Sequence, residues 1–492
     1  MQPLSKPSIT RPVASVITTL AMLTAGASGG CGYPRAGAVA SAASGAVGAA
    51  SAEARIDSVV TALFGLDAAP CLAVVVVRDT APIYMKGFGY ADLESRRPVT
   101  PQTVFYIAST TKSFTGLAAA ILDRQGKISL DAPLSRYLPG LRLQSPLDPD
   151  SITIRSLLTH THGIAHGPVA HRLAYTGEYE GNAHLARLLA EHAPARTGRV
   201  FEYGNVGYNV AAIAIDSALG ESWKNWLDRL LFTPLGMRST TAYVSRVPRE
   251  RLAMPYRVEP TGYARIPYGK ADANMQSAGG LVSTAEDMAR WLEAHINGGR
   301  VDGRQVLPAD VVAEAHRVLA TASGTRRGLT VLGYGLGWNV TITEGDTMLT
   351  HGGGFAGFTT HMSLMPQHRV GVVVMINANA PLADLVAMEI YKTLLGRRGI
   401  VPDSLDWARQ QVAQMRERIG ADRARRAARP QTLPLPLTAY AGVYENPAWG
   451  RVELSVVNGK LEARAGTAWS AVEVYDNTKH QLRVELTGGG TV

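Results

Sequence analysis

Leu72-Ala73-Val74-Val75-Val76-Val77-Arg78 is an apolar, valine-rich run of the kind that forms a strand. Across a short turn comes a second strand-like run, Ile83-Tyr84-Met85-Lys86-Gly87-Phe88-Gly89-Tyr90, so residues 72–90 read as a hairpin. Ahead of it, Ile56, Val59, Val60 and Leu63 fall at helical spacing. Far down the chain the strand pattern returns in Thr359-Thr360-His361-Met362-Ser363-Leu364 and Val370-Gly371-Val372-Val373-Val374-Met375, parted by the turn Pro366-Gln367-His368-Arg369. Helical patterns fill the interval. Residues 109–124 carry Phe114, Leu117, Ala118 and Ile121 on one face with Gly126 past the end, Asp131 and Thr153 open shorter elements, and Val206 to Leu219 is a longer one. Strands, then helices, then strands is the order of a chain that closes one antiparallel sheet from its two ends and packs helices on it, an α+β architecture. Gly87 and Gly89 do not make a dinucleotide loop, because Asp92, Glu94, Arg96 and Arg97 follow where a helix would have to start.

The 492 residues, 46% hydrophobic and 18% charged, leave room for two or three domains. A net charge of +9 arises from 49 Lys and Arg against 40 Asp and Glu; with acidic residues this plentiful, the excess reads as a solvated basic face and not as a nucleic-acid grip. Two cysteines, Cys31 and Cys71, cannot build a disulfide framework, and Cys71, beside the valine run, reads as a buried inert thiol.

The beginning of the chain has the marks of export. Lys6 and Arg11 precede an uncharged stretch from Val13 to Ala27 that is short for a membrane span. Two exits compete: cleavage after Ala25-Gly26-Ala27, or lipidation of Cys31 after Ser28-Gly29-Gly30, a lipobox-like pattern without the usual upstream leucine. We therefore expect a signal over residues 1–31 and a flexible Ala/Gly/Ser-rich tether over 32–53, in an exported, periplasmic or extracellular protein that Cys31 would anchor to a membrane if lipidated. The main domain, over 54–400, ends with a last helix near 384–396. Residues 401–431 form an Arg-rich helical linker, stopped by Pro430, whose Trp407, Met415 and Ile419 suit docking on the domain or, alternatively, contact with acidic lipid. Residues 432–492 form a small all-β domain, with Asn458-Gly459 a strong hairpin turn.

The chemistry begins at Ser109-Thr110-Thr111-Lys112, which starts a helix and sets serine and lysine one turn apart on the same face. A serine hydroxyl is a weak nucleophile until a base takes its proton, and a partly buried lysine with a lowered pKa is such a base. Alone the motif is weak, since S-x-x-K arises by chance in long chains. It is joined by Tyr203-Gly204-Asn205 and by His351-Gly352-Gly353-Gly354-Phe355. The histidines His160, His162, His166 and His171 lack an H-E-x-x-H pattern and nearby cysteines, so no metal and no cofactor is expected; His160 reads as a loop or core residue and the others as lining a surface loop near the site.

With these three motifs in this order the chain resembles the serine β-lactamase and penicillin-binding-protein superfamily, in its class C-like branch of β-lactamases, D-stereospecific peptidases and esterases. Lys86-Gly87-Phe88-Gly89-Tyr90-Ala91-Asp92 and Ile154-Arg155-Ser156-Leu157-Leu158-Thr159-His160-Thr161 carry the likeness over about residues 55–397. The resemblance implies a β-lactamase/transpeptidase-like sheet flanked by helices with a helical subdomain. It also implies that Ser109 forms the acyl-enzyme, that Lys112 and Tyr203 are the coupled base and acid, and that Asn205 orients Lys112 and the substrate. His351, Gly353 and Gly354 would line the substrate side, with Gly354 giving the second oxyanion N–H beside that of Ser109. The end of the chain, around Leu437-Thr438-Ala439-Tyr440-Ala441-Gly442-Val443-Tyr444, resembles a lipocalin-like domain but is short for a closed barrel. The expected function is a serine hydrolase of ester or amide bonds in a small molecule or short peptide, of D-amino-acid peptidase or carboxylesterase type. A β-lactamase or D-alanyl-D-alanine carboxypeptidase, and a catalytically silent envelope scaffold, are the alternatives. Oligomeric state has no signature in the residues.

Overall fold

The structure, a computed structural model, describes residues 51–165, 167–178, 181–192, 200–267, 269–326, 329–396 and 405–486. The expected export segment with Cys31, the tether up to residue 50, and His166 lie outside these residues.

Helix α1 (Ala52–Phe64) starts where the Ser51 side chain accepts from the Ala54 amide, and it buries Ile56, Val60 and Leu63. The hairpin β1 (Cys71–Arg78) and β2 (Ala81–Asp92) follows. The chain then turns helical through α2 (Thr111–Arg124), α3 (Val206–Leu219) and α4 (Ala285–Ile296). It returns to the sheet as β3 (Leu329–Tyr334), β4 (Asn339–Thr343), β5 (Asp346–Phe355), β6 (Phe358–Met365) and β7 (Val370–Ile376), and α5 (Leu382–Leu395) closes the unit. Among the described residues the strands lie side by side in the order β3-β4-β5-β6-β7-β1-β2, all antiparallel, with shorter strands at both edges. The two valine runs are the closure: Val74 faces Val374 and Val75 faces Val373.

Because side chains alternate across a strand, β1 serves two cores. Leu72, Val74 and Val76 pack with α1 and α5, while Ala73, Val75 and Val77 belong to the core that takes in Trp291 of α4 and Phe114 of α2. Phe114 and Trp291 stack with ring centroids 3.8 Å apart. The sheet is thus covered on both faces, and α2, which carries Lys112, is held at its centre. Cys71 is buried and its thiol is pushed up by desolvation, as befits an inert core residue.

The Arg-rich segment forms α6 (Leu405–Ala427), with Trp407, Met415 and Ile419 packed against the core of α1 and α5. Its arginines are engaged by the protein: Arg416 pairs with Asp67 at 3.0 Å and Arg423 with Glu259 at 2.9 Å, and Arg426 meets Glu485 of the C-terminal sheet. That sheet runs β8 (Gly442–Asn446), β9 (Gly450–Val457), β10 (Lys460–Ala465), β11 (Ala468–Asp476) and β12 (Gln481–Val484), each strand beside the next. Asn458 and Gly459 form the β9–β10 turn, both at positive φ. β8 and β12 are its two edges, so the described strands make an open curled sheet.

Candidate active site

The two-residue strand Phe105–Tyr106 pairs with Val282–Ser283, and the Ile107 amide bonds to Leu281 O at 3.0 Å. The backbone then enters the left-handed region at Ala108 (φ 46°), a conformation that costs a non-glycine residue on the order of 1–3 kcal/mol and persists where the surroundings enforce it. Here they do. The hydroxyls of Thr110 and Thr111 donate back to the carbonyls of Ile107 and Ala108, each at 2.7 Å, so the turn before α2 is tied from inside. Ser109 sits in this turn at the head of α2, where backbone N–H groups and the helix dipole favour developing negative charge.

Lys112, one turn further, is fully buried. Its Nζ lies 3.1 Å from Ser109 Oγ, 2.8 Å from Asn205 Oδ1 and 2.7 Å from the Ala278 carbonyl. Two of these partners can only accept. In a neutral amine these two acceptors take the two N–H bonds, which leaves the lone pair available to the serine hydroxyl. Burial favours that neutral form by lowering the Lys112 pKa, with contact to Tyr203 working in the opposite direction.

Tyr203 places its ring 4.9 Å from Lys112 Nζ. His160 fixes the turn that carries it: the ring is 4.7 Å from that of Tyr203, Nδ1 accepts from the Gly204 amide at 3.2 Å, and the His160 carbonyl accepts from the Glu202 amide at 2.9 Å. Asn205 stands at the N-cap of α3 yet makes no side-chain cap bond, since its oxygen is committed to Lys112. His162 differs from the surface position expected of it. It is buried against Gly207 at the start of α3, with Nδ1 accepting from the Ile164 amide at 2.9 Å. His171 lies half-buried between Tyr175 and Trp449.

Strand β5 brings the third motif. β4 pairs with it only as far as Thr350, opposite Asn339, so its edge is open from His351 to Phe355. Met348 and Thr350 turn their carbonyls to that edge, where Thr341 and Asn339 side chains bond them. The two-residue period of a strand puts the backbone groups of Gly352 and Gly354 on the same edge, and Gly354 is exposed there. Gly353 has another task. A Cβ at this position would collide with the Ile107 carbonyl, so the glycine permits β5 to close on the turn before Ser109 and does not itself face the cleft. His351, 2% exposed, is likewise tucked in: Nδ1 donates to Gly352 O at 2.8 Å, leaving Nε2 to accept from the Tyr334 hydroxyl at 3.1 Å in the neutral ring.

Three partners of the site were not among the residues expected from sequence. Ala278 contributes a backbone oxygen, for which a side-chain motif gives no signal. Tyr334 binds His351, and His160 acts through the Tyr203 turn.

The profile of the family described as Beta-lactamase matches residues 56–397. Among curated proteins, unguisins hydrolase ungD of Aspergillus violaceofuscus is 28% identical over 431 residues, 80% of this chain and 75% of that protein. Protein flp of Staphylococcus aureus is 24% identical over 318 residues, covering 63% of this chain and 60% of its own. Among solved structures, the octameric penicillin-binding protein homologue from Pyrococcus abyssi superposes with a TM-score of 0.58 at 23% identity, covering 86% of this chain and 91% of that one. The D-amino acid amidase from Ochrobactrum anthropi SV3, complexed with L-phenylalanine amide, gives 0.58 at 19% identity, over 71% of this chain and 100% of that one.

Proposed function

The chain belongs to the Beta-lactamase family and is a serine hydrolase; on that footing we propose that it cleaves small carboxylic esters or D-amino-acid amides and peptides through an acyl-enzyme on Ser109. The observation that carries this reading is the setting of Lys112, whose acceptor-only partners at 2.8 and 2.7 Å leave its lone pair for Ser109 Oγ. In acylation the Ser109 proton passes to Lys112 as Oγ bonds to the substrate carbonyl carbon. The carbonyl oxygen takes the electron pair and is held by the Ser109 and Gly354 amides. The intermediate collapses as the bond to the leaving group breaks, when Tyr203 supplies a proton to the departing alcohol or amine and takes the proton from Ser109 back from Lys112, with which it is in contact. Water attacks the acyl-serine by the same route in reverse and restores the hydroxyl.

The proposed substrate class is supported by what strand β5 offers to a substrate. Gly352 offers no hydroxyl, and both ring nitrogens of His351 are engaged within the protein, so β5 presents neither a free cation nor a hydroxyl to a substrate carboxylate. Uncharged substrates should do better than penicillins or cephalosporins. The D-amino acid amidase likeness is in keeping with this. The expected result is a kcat/KM on the best short-chain aryl ester or D-amino-acid amide at least about 10-fold above that on a chromogenic cephalosporin, equivalent to about 1.4 kcal/mol of discrimination. Equal efficiency on the cephalosporin across a broad panel would restore the β-lactamase reading.

We also place the enzyme outside the cytoplasm, on the strength of Lys6, Arg11 and the apolar stretch after them. Fractionation of cells should recover it beyond the inner membrane. A shift of Cys31→Ser from the membrane to the soluble fraction would identify the anchor, and an unchanged distribution would rule the anchor out.

A further inference from the structure

The C-terminal sheet reaches the cleft through one segment of the hydrolase unit. Residues Pro168–His171 form a helical turn that continues as the π-turn Arg172–Thr176. The β10–β11 turn docks on its end. The Thr467 amide donates to Thr176 O at 2.9 Å, and the Thr467 hydroxyl donates to Tyr175 O at 3.0 Å while accepting from Asn274 Nδ2 at 2.9 Å. Asn274 is itself fully buried and also donates to Tyr175 O at 3.1 Å. Gly466 of the same turn has φ 52°, and a Cβ there would collide with the Thr176 carbonyl. A second contact comes from the β8–β9 turn, where Trp449 packs edge-on against His171 and the Pro447 carbonyl accepts from Arg172 at 3.1 Å.

What these bonds hold in place is an aromatic wall beside the oxyanion strand. Tyr175 stacks on Phe355 with centroids 5.3 Å apart and planes 25° from parallel, and Phe355 meets Tyr106 edge-on at 4.9 Å. Phe355 follows Gly354 directly, and Tyr106 lies three residues before Ser109. Lys270 sits over the Phe355 ring at 4.0 Å and donates to the carbonyls of Ala174 and Asn274, which ties the wall to the segment that carries Tyr175. The core of the C-terminal sheet, with Leu454, Ala463 and Ala465, is continuous with Phe355 and Tyr175.

We propose that the C-terminal sheet is a specificity-determining part of the enzyme: through Thr467 and Gly466 it fixes Tyr175 on Phe355, and the wall so formed receives an aromatic or bulky apolar group next to the scissile carbonyl. The proposal rests on the reading of Ser109 as nucleophile. Thr467 and Gly466 are positioning residues; Tyr175 and Phe355 would touch substrate.

The test compares kcat/KM on p-nitrophenyl phenylacetate with that on p-nitrophenyl acetate for wild type, Thr467→Val, Gly466→Val, Tyr175→Ala and the conservative Thr467→Ser. Stoichiometric phosphorylation of Ser109 by diisopropyl fluorophosphate, with loss of fluoride, is measured alongside. Wild type should favour the aromatic ester. Thr467→Val, Gly466→Val and Tyr175→Ala should each lower the aromatic-to-acetyl ratio at least about 10-fold, chiefly through KM on the aromatic ester, while Ser109 is still labelled. Thr467→Ser should keep the wild-type ratio. An unchanged ratio in Tyr175→Ala overturns the proposal even if Gly466→Val fails to fold, and so does a parallel loss on both esters, which is what a merely structural contact would give. Wild type that is not labelled at Ser109 would instead overturn the nucleophile assignment.

Discussion

Replacing Ser109 with alanine is expected to abolish turnover of every ester or amide the enzyme accepts. Lys112, the nearest amine, is buried with its N–H bonds given to Asn205 and Ala278 and is not placed to replace the hydroxyl as nucleophile. Alanine also keeps the backbone amide of residue 109, so the oxyanion pocket and the fold should survive. Binding of an uncleaved substrate analogue by Ser109→Ala should therefore persist while initial rates fall to the uncatalysed background. Residual wild-type turnover would show that another residue is acylated.

The second large effect is expected at Lys112. Lys112→Ala removes the proposed proton acceptor and leaves Asn205 Oδ1 and the Ala278 carbonyl facing a cavity, and its loss should be on the order of 10²–10⁴-fold in kcat/KM. Lys112→Arg is the sharper variant, because a guanidinium keeps the positive charge and the donors but does not release its proton at accessible pH. It should be as inactive as the alanine variant if the base role is right, and near wild type if the lysine acts only as a fixed charge. The pH profile carries the same information. Burial lowers the Lys112 pKa, the active form is the neutral amine, and activity should rise with pH through that titration. Tyr203→Phe, which removes the proposed leaving-group proton donor, should lose a comparable factor while Lys112 still titrates.

Much of the fold and of the site is legible in the sequence. The closure of the sheet could be read from the valine runs at 72–77 and 370–375 because a continuous β-branched run has few other uses, and the structure pairs them residue by residue. The helix after Ser109 and the Asn458-Gly459 turn were likewise visible as local chemistry. β3 and β4 were not, since Gly333, Gly335 and Gly337 break the pattern, and three of the five residues of β4 are Asn or Thr. Long-range partners escaped for a different reason. Ala278 acts through a carbonyl that every residue possesses, and Tyr334 is one tyrosine among many until the fold sets it on His351. Gly353 was expected to line the substrate side, but its role is steric and concerns Ile107, a contact no spacing rule announces. The ion pairs of the α6 arginines were not legible because their acidic partners, Asp67, Glu259 and Glu485, are scattered along the chain.

The most direct measurement is intact-protein and peptide mass spectrometry after brief exposure to a panel of p-nitrophenyl esters, D-amino-acid amides and penicillins, followed by acid quenching. The account predicts an added mass equal to the acyl group of the reactive ester or amide, carried by the peptide that contains Ser109 and missing from Ser109→Ala. An active enzyme that takes up no acyl group, or takes it up on a residue other than Ser109, would contradict it.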